Sequence, residues 1–146
     1  QAWDYARETF AHIARTAADR GVYFCIEPLG PKETDFINTV TDAIRMIEEV
    51  DNPHLRTMLD VKAISSDGRP LPAIIEEAAG YAMHVHVNEP DGRGPGTGST
   101  DFKEIAETLR RTNYSGYVSV EVFHFKPDPV VIARDAIEYL KRTFGE

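Results

Sequence analysis

Four apolar runs in this chain each close on a side chain that can bind a metal: Glu27 ends VYFCIE, Asp60 ends LRTMLD, His86 ends YAMHVH and Glu121 ends YVSVE. The intervals between these residues are 33, 26 and 35 positions. Each is long enough for a loop, a helix and a return to the next strand, which is what a parallel crossover needs. Strands that all end in a ligand put their chemistry on one rim of the sheet. That requirement limits the folds open to the chain more than any other property of it.

The intervening segments agree with this reading. A helix opens the chain, with Trp3, Ala6, Phe10, Ile13, Ala14 and Ala17 on one stripe and Gly21 as its stop. The pattern then predicts strand 22–27, helix 37–50, strand 55–60, helix 71–79, strand 82–88, helix 101–112, strand 117–123 and helix 128–143. Ile37, Val40, Ile44 and Ile47 fall at helical spacing, as do Phe102, Ile105, Ala106 and Leu109, so these faces cover a sheet. Asp101 is placed to cap the helix that follows it, and Gly116 to turn the chain into the last strand.

Four such units in series either curl as part of a closed barrel or lie as an open doubly wound sheet. An open sheet sends the chain from one face to the other at a switch point. Here every strand ends in a ligand, as expected when all four ends converge on the axis at the carboxyl face of a barrel. The predicted fold class is therefore α/β: a (β/α)8 TIM barrel of which this chain supplies about four βα units, a half barrel preceded by a helix, with residues 1–146 as one domain. Such barrels typically need about 250 residues. Gln1 leads straight into a helical pattern with no initiator Met and no preceding strand, so a piece of a longer polypeptide is expected. The two open sheet edges call for cover, from a missing N-terminal half or from self-association.

Composition narrows the partners. A formal charge of -8, with no basic block, argues against nucleic acid or an anionic membrane surface and leaves small molecules open. The single cysteine, Cys25, precludes an intrachain disulfide framework and fits a reducing, cytoplasmic setting. No apolar stretch approaches the roughly 18 residues of a membrane span. Counting back two positions from each strand-end ligand gives Cys25, Met58, His84 and Ser119, which should face the barrel interior one layer below the rim. Cys25 and Met58 read as core, and His84 as either a core histidine or a group that orients a ligand. Two Glu, one Asp and one His form an oxygen-rich set suited to a divalent metal, Mn²⁺ first, with Mg²⁺, Co²⁺ or Zn²⁺ as alternatives.

Through the segments IEPLGPKETDFINT, LRTMLDVKA, HVHVNEPDGRGPGTGSTDF and GYVSVEVF, the chain resembles the sugar isomerase and epimerase barrels related to xylose isomerase, in the ketose 3-epimerase branch. The resemblance spans Gly21 to about Leu140 and corresponds to the C-terminal half of that barrel. It implies a metal held by Glu27, Asp60, His86 and Glu121, and an isomerase or epimerase acting on a sugar, a sugar phosphate or a keto-inositol. Glu27 and Glu121 would move the proton next to the sugar carbonyl through an enediolate. Glu33 matches a substrate-binding Glu of that branch, and Arg93 matches a substrate-contacting Arg by context though not by strict spacing. One departure is Ala63, where the branch carries a His; Lys62 stands beside it and, two positions beyond Asp60, should point to the same interior side and hold a substrate oxygen or a phosphate. Two other readings compete. One is a non-catalytic metal-binding half barrel. The other is a metal-dependent phosphodiesterase that cuts DNA at abasic sites, which needs more rim histidines than His84, His86 and His124.

Overall fold

The computed structural model describes residues 1–145. Helix α1 (Ala2–Asp19) ends at Gly21, whose φ of 65° lets Val22 N–H turn back to the carbonyl of Ala17 at 3.0 Å. Four units follow: β1 (Phe24–Ile26) and α2 (Val40–Val50), β2 (Leu55–Asp60) and α3 (Val61–Ile64), α4 (Leu71–Glu77), β3 (Ala82–Val87) and α5 (Phe102–Arg111), β4 (Tyr117–Val120) and α6 (Pro129–Phe144). The strands pair in parallel in the order β1-β2-β3-β4, so the sheet grows in one direction with no reversal. That order fits a barrel arc and not a doubly wound sheet, whose order reverses at its switch point.

Strand alternation separates the two faces. Ile26, Leu55, Leu59, Val85 and Val87 are buried together with apolar residues of α1, α2, α4, α5 and α6 such as Ala14, Met46, Ile74, Phe102 and Leu140. The alternate residues, Cys25, Met58, His84 and Ser119 among them, stay outside those clusters and share the other face with the strand-end ligands. Register then sets the height of each ligand. Ile26 lies opposite Thr57, so Glu27 stands level with Met58, two residues short of Asp60. Asp60 lies opposite His86, and His86 opposite Ser119, two residues short of Glu121. The ligands thus climb by four residues across three pairings, near the stagger of about one residue per strand in an eight-stranded barrel. Tilted strands bring these different register levels to one height on the axis. One irregularity lies lower down, where Met83 is passed over between the pairs Thr57–Ala82 and Met58–His84.

Several predicted boundaries move, each for a local reason. The first strand begins at Phe24 and not at 22, because Val22 still serves the end of α1 and only Phe24 N–H reaches the neighbouring His54 carbonyl, at 2.9 Å. Ile37 is not helical: it has φ 54° and enters the core from the loop, while Thr39 and Asp42 form the capping box that starts α2. Residues 61–67, read as loop, form α3 and a 3-10 turn, Ser65–Asp67. The last strand stops at Val120, since Phe123 N–H bonds Gly92 O at 2.8 Å and draws the chain onto the loop after β3. Asp101 caps α5 as expected, accepting from Glu104 N–H. No described helix is long and apolar enough to cross a membrane.

At the far end of the sheet from the ligands, Tyr114 donates to the carbonyl of Tyr117 at 2.9 Å, and a Cβ on Gly116 would strike that phenol oxygen. Burial, and after it the charge on Cys25, pushes the Tyr114 phenol up to about 12. Unfolded tyrosine titrates near 10, so the raised folded value adds stability that is complete below about pH 10 and is lost as pH rises through about 12. The urea midpoint of the wild type is expected to fall across that interval more steeply than that of Tyr114→Phe. Equal slopes for the two would contradict the assignment.

Candidate metal centre

The ligand cluster is built from four successive strand ends. Glu27 follows β1, Asp60 ends β2, His86 lies in β3 one residue from its end, and Glu121 follows β4. One ligand atom from each lies within 4.8 Å of one from every other. His86 Nδ1 is 3.3 Å from Glu121 Oε2 and 3.8 Å from Asp60 Oδ2. Asp60 is the most constrained member, at 2 % exposure. Its Oδ1 accepts from Ala63 N–H at 2.9 Å, which makes it the cap of α3, and its Oδ2 accepts from the Asn88 amide at 2.8 Å. The Asn88 carbonyl oxygen in turn accepts from Lys62 N–H at 2.8 Å, so the amide ties the end of β3 to the start of α3.

The electrostatics are unfavourable without a cation. Burial first, then repulsion from Asp60 and Glu121, pushes the Glu27 carboxyl up. Burial also raises Glu121, and Asp60 adds to the rise while His86 opposes it. Three carboxylates this close repel unless positive charge stands between them. His86 Nδ1 is buried and has no hydrogen-bond partner among the described residues, although unpaired buried nitrogen is costly. An orphaned imidazole nitrogen facing three carboxylates is a donor set that a divalent cation satisfies, and the residues present fit that group.

Around the cluster, the other predicted residues separate into near and far. Lys62 sits in the first turn of α3 and not on an extended strand, so the alternation argument for its direction does not apply. Its ammonium nonetheless crosses the rim to Glu33 Oε1 at 2.9 Å and lies 4.8 Å from the Phe123 ring centroid. The Lys62 hydrogen bond holds the Glu33 carboxyl below the usual carboxylate range. Arg93 pairs with Asp91, Nε to Oδ2 at 2.7 Å, and lines a separate cavity with Lys126 and Tyr139 that none of the four ligands borders. His84 Nε2 lies 2.7 Å from Ser119 Oγ, and its ring meets that of His86 edge to face at 4.9 Å, so the layer below the rim is a linked polar group.

Two buried residues escaped the reading of the sequence as organisers of the rim. Asn88 is fully buried as the amide that holds Asp60. Glu89, 2 % exposed, accepts from Gly96 N–H, Thr100 N–H and Thr100 Oγ1, and so folds the loop between β3 and α5 around its carboxylate. Gly98 must lack a side chain there, because a Cβ would collide with that carboxylate. The available signal was the pair of polar residues directly after an apolar strand, followed by four glycines within seven positions.

Comparison with known proteins places this geometry. The model of the xylose isomerase-like TIM barrel family matches residues 1–143. The chain is 31% identical over 121 residues to D-psicose 3-epimerase of Ruminiclostridium cellulolyticum, covering 83% of this chain and 41% of that protein. It is 31% identical over 129 residues to 3-dehydro-D-guloside 4-epimerase of Escherichia coli, covering 88% and 49%. The crystal structure of 3-keto-D-glucoside 4-epimerase from E. coli superposes with a TM-score of 0.88 at 29% identity, over 97% of this chain and 56% of that one. The chain thus spans about half the length of the relatives it matches. With four parallel strands in barrel order and the family match running over nearly its whole length, the chain belongs to the xylose isomerase-like TIM barrel family.

Proposed function

We propose that this chain is the C-terminal half of a divalent-metal-dependent sugar epimerase or isomerase. The observation that carries the reading is the convergence of Glu27, Asp60, His86 and Glu121 from four successive strand ends, with His86 Nδ1 buried and unpaired among them. The epimerase names of the relatives support the reaction class. The inner face also carries Arg56, whose buried Nε has no hydrogen-bond partner among the described residues, which fits a face that further strands complete.

In this reading the four side chains hold the cation, with Mn²⁺ the best match to a set of three carboxylates and one imidazole. When bound, it supplies Lewis-acid stabilisation of the negative charge that develops on neighbouring substrate oxygens as an enediolate forms. The chain's own residues do the rest. Asp60, held by Ala63 N–H and Asn88, is an anchor that cannot swing away. Glu27 and Glu121 stand at the two ends of the four-strand arc and therefore face a substrate carbon from opposite sides. One removes the proton beside the carbonyl and the other returns it, which is general acid-base catalysis by a carboxylate pair. The phosphodiesterase reading draws less support: among the described residues His86 is the one histidine in the cluster, while His84 lies against Ser119 and His124 against Asp91 O.

Two measurements test the proposal. In the full polypeptide with Mn²⁺ and a panel of ketoses and keto-sugars, Glu121→Gln and Glu27→Gln are each expected to lower turnover by about 10²–10⁴-fold. Retention of full turnover by either would remove it from the acid-base pair. In calorimetric titration with Mn²⁺, His86→Ala is expected to abolish binding, and Asn88→Ala to weaken it by about 10–100-fold because Asp60 loses its orienting donor. Unchanged binding by His86→Ala would dismiss the metal centre.

A further inference from the structure

Between the loop that follows β3 and helix α6 lies a cavity of about 520 Å³, a volume that holds a small metabolite. One wall is the loop itself, which presses onto the helix at Gly96. That residue has φ 84°, and a Cβ on it would come within 2.6 Å of the Tyr139 ring. A side chain there would push the loop off the helix, so the shape of the cavity depends on this glycine. The other wall is one face of α6, on which Ile132, Asp135, Ala136, Tyr139 and Arg142 recur at three- and four-residue spacing. Lys126, ahead of the first turn of α6, and Arg142, in its last turn, both border the space. Helical side chains lean toward the helix N-terminus, so Arg142 reaches back along this face in the direction of Lys126.

The polar groups around this space are unevenly committed. Asp135, the one carboxylate bordering it among the described residues, already accepts two bonds from Arg134. Arg93 also borders it, with its Nε held by Asp91. Thr97 has given its hydroxyl proton to Gly94 O. Lys126 and Arg142 have no ion-pair partner among the described residues, and the Tyr139 hydroxyl has no hydrogen-bond partner there. An ammonium carries three donors, a guanidinium five and a phenol one, so the uncommitted groups are almost all donors, two of them charged. A neutral sugar, which offers donors as well as acceptors, would leave most of that excess unmet. A phosphate group offers three acceptor oxygens and negative charge, and the planar fork of an arginine takes two of those oxygens together. We infer that this cavity is a second ligand site, which takes the phosphate group of a small metabolite between Lys126 and Arg142. The inference goes beyond the epimerase reading and does not depend on it, because none of the four metal-binding side chains borders the cavity.

The test is phosphorus NMR and calorimetric titration of the full polypeptide with glycerol 3-phosphate and inorganic phosphate, and calorimetry with succinate as a carboxylate control. Saturable binding of at least one phosphate probe is expected with a Kd below about 1 mM, and at least about tenfold tighter than that of succinate. Tighter binding of glycerol 3-phosphate assigns an ester and tighter binding of inorganic phosphate assigns the free ion; either result upholds the site. Lys126→Gln and Arg142→Gln are each expected to weaken binding about tenfold. Both side chains are exposed, so neither change removes a packed group. Lys103→Gln removes the same charge from an exposed position that does not border the cavity, and it is expected to leave binding unchanged. His86→Ala, which removes a metal ligand, is expected to leave it unchanged as well. A Kd above about 1 mM for both phosphate probes, or a preference for succinate, would overturn the inference. So would an equal loss in Lys103→Gln, which marks diffuse attraction, or a loss in His86→Ala, which puts the phosphate on the metal centre.

Discussion

A carboxylate at 2 % exposure needs donors or a cation to stay charged, and most of the rim is arranged around meeting that need for Asp60. Ala63 N–H supplies one donor, which forces the chain out of β2 and into α3 at that residue. The Asn88 amide supplies another, which brings the residue after β3 back over β2. Asn88 then spends its oxygen on Lys62, so the same hydrogen-bond chain that orients a ligand also sets the origin of the side chain that reaches Glu33. Charge-assisted bonds of this kind contribute about 1.5–3 kcal/mol each. Their larger effect is geometric, because removing any member leaves a buried partner unsatisfied.

The sheet divides its labour by face. Apolar residues at one phase of each strand pack against a single layer of helices, and the buried threonines there are satisfied by backbone carbonyls, Thr57 by Ile26 O at 2.8 Å and Thr108 by Glu104 O at 2.8 Å. The opposite phase collects the charges. Glu27 and Glu121, raised by burial and by their neighbours, show the energetic tension that such crowding creates. A protein carries that tension where a cation relieves it, and the orphaned nitrogen of His86 points to the same resolution.

Much of this was legible in the sequence because it depends on periodicity. Glu27, Asp60, His86 and Glu121 share a phase with their strands and a crossover-length spacing, and both properties survive without knowledge of tertiary contacts. What depended on loops was harder to read. Ile37 matched the helical stripe of α2 but reaches the core through a left-handed backbone conformation, since any route that buries its side chain satisfies the same hydrophobic demand. Lys62 was placed at the rim by an alternation that the strand does not continue; α3 begins first, and the long side chain compensates. Asn88 and Glu89 resembled solvated loop residues because their partners lie in backbone N–H groups and amides that no residue pattern displays. Arg93 was read from a family-like context alone, and its Nε bonds the neighbouring Asp91, a pairing that the sequence context did not display.

The irregularity in β3 has a bearing on how such a site tolerates change. Because Met83 is passed over below His84, the ladder from His84 to Val87 keeps its own phase with β2 and β4 whatever the count of residues beneath it. Length variation at the base of the strand can be absorbed there as a wider or narrower loop-out, whereas one residue gained or lost between His84 and His86 would turn one of the two toward the helices. The strand thus has a permissive base and an intolerant tip, and insertions drifting through this fold should accumulate on the side away from the chemistry.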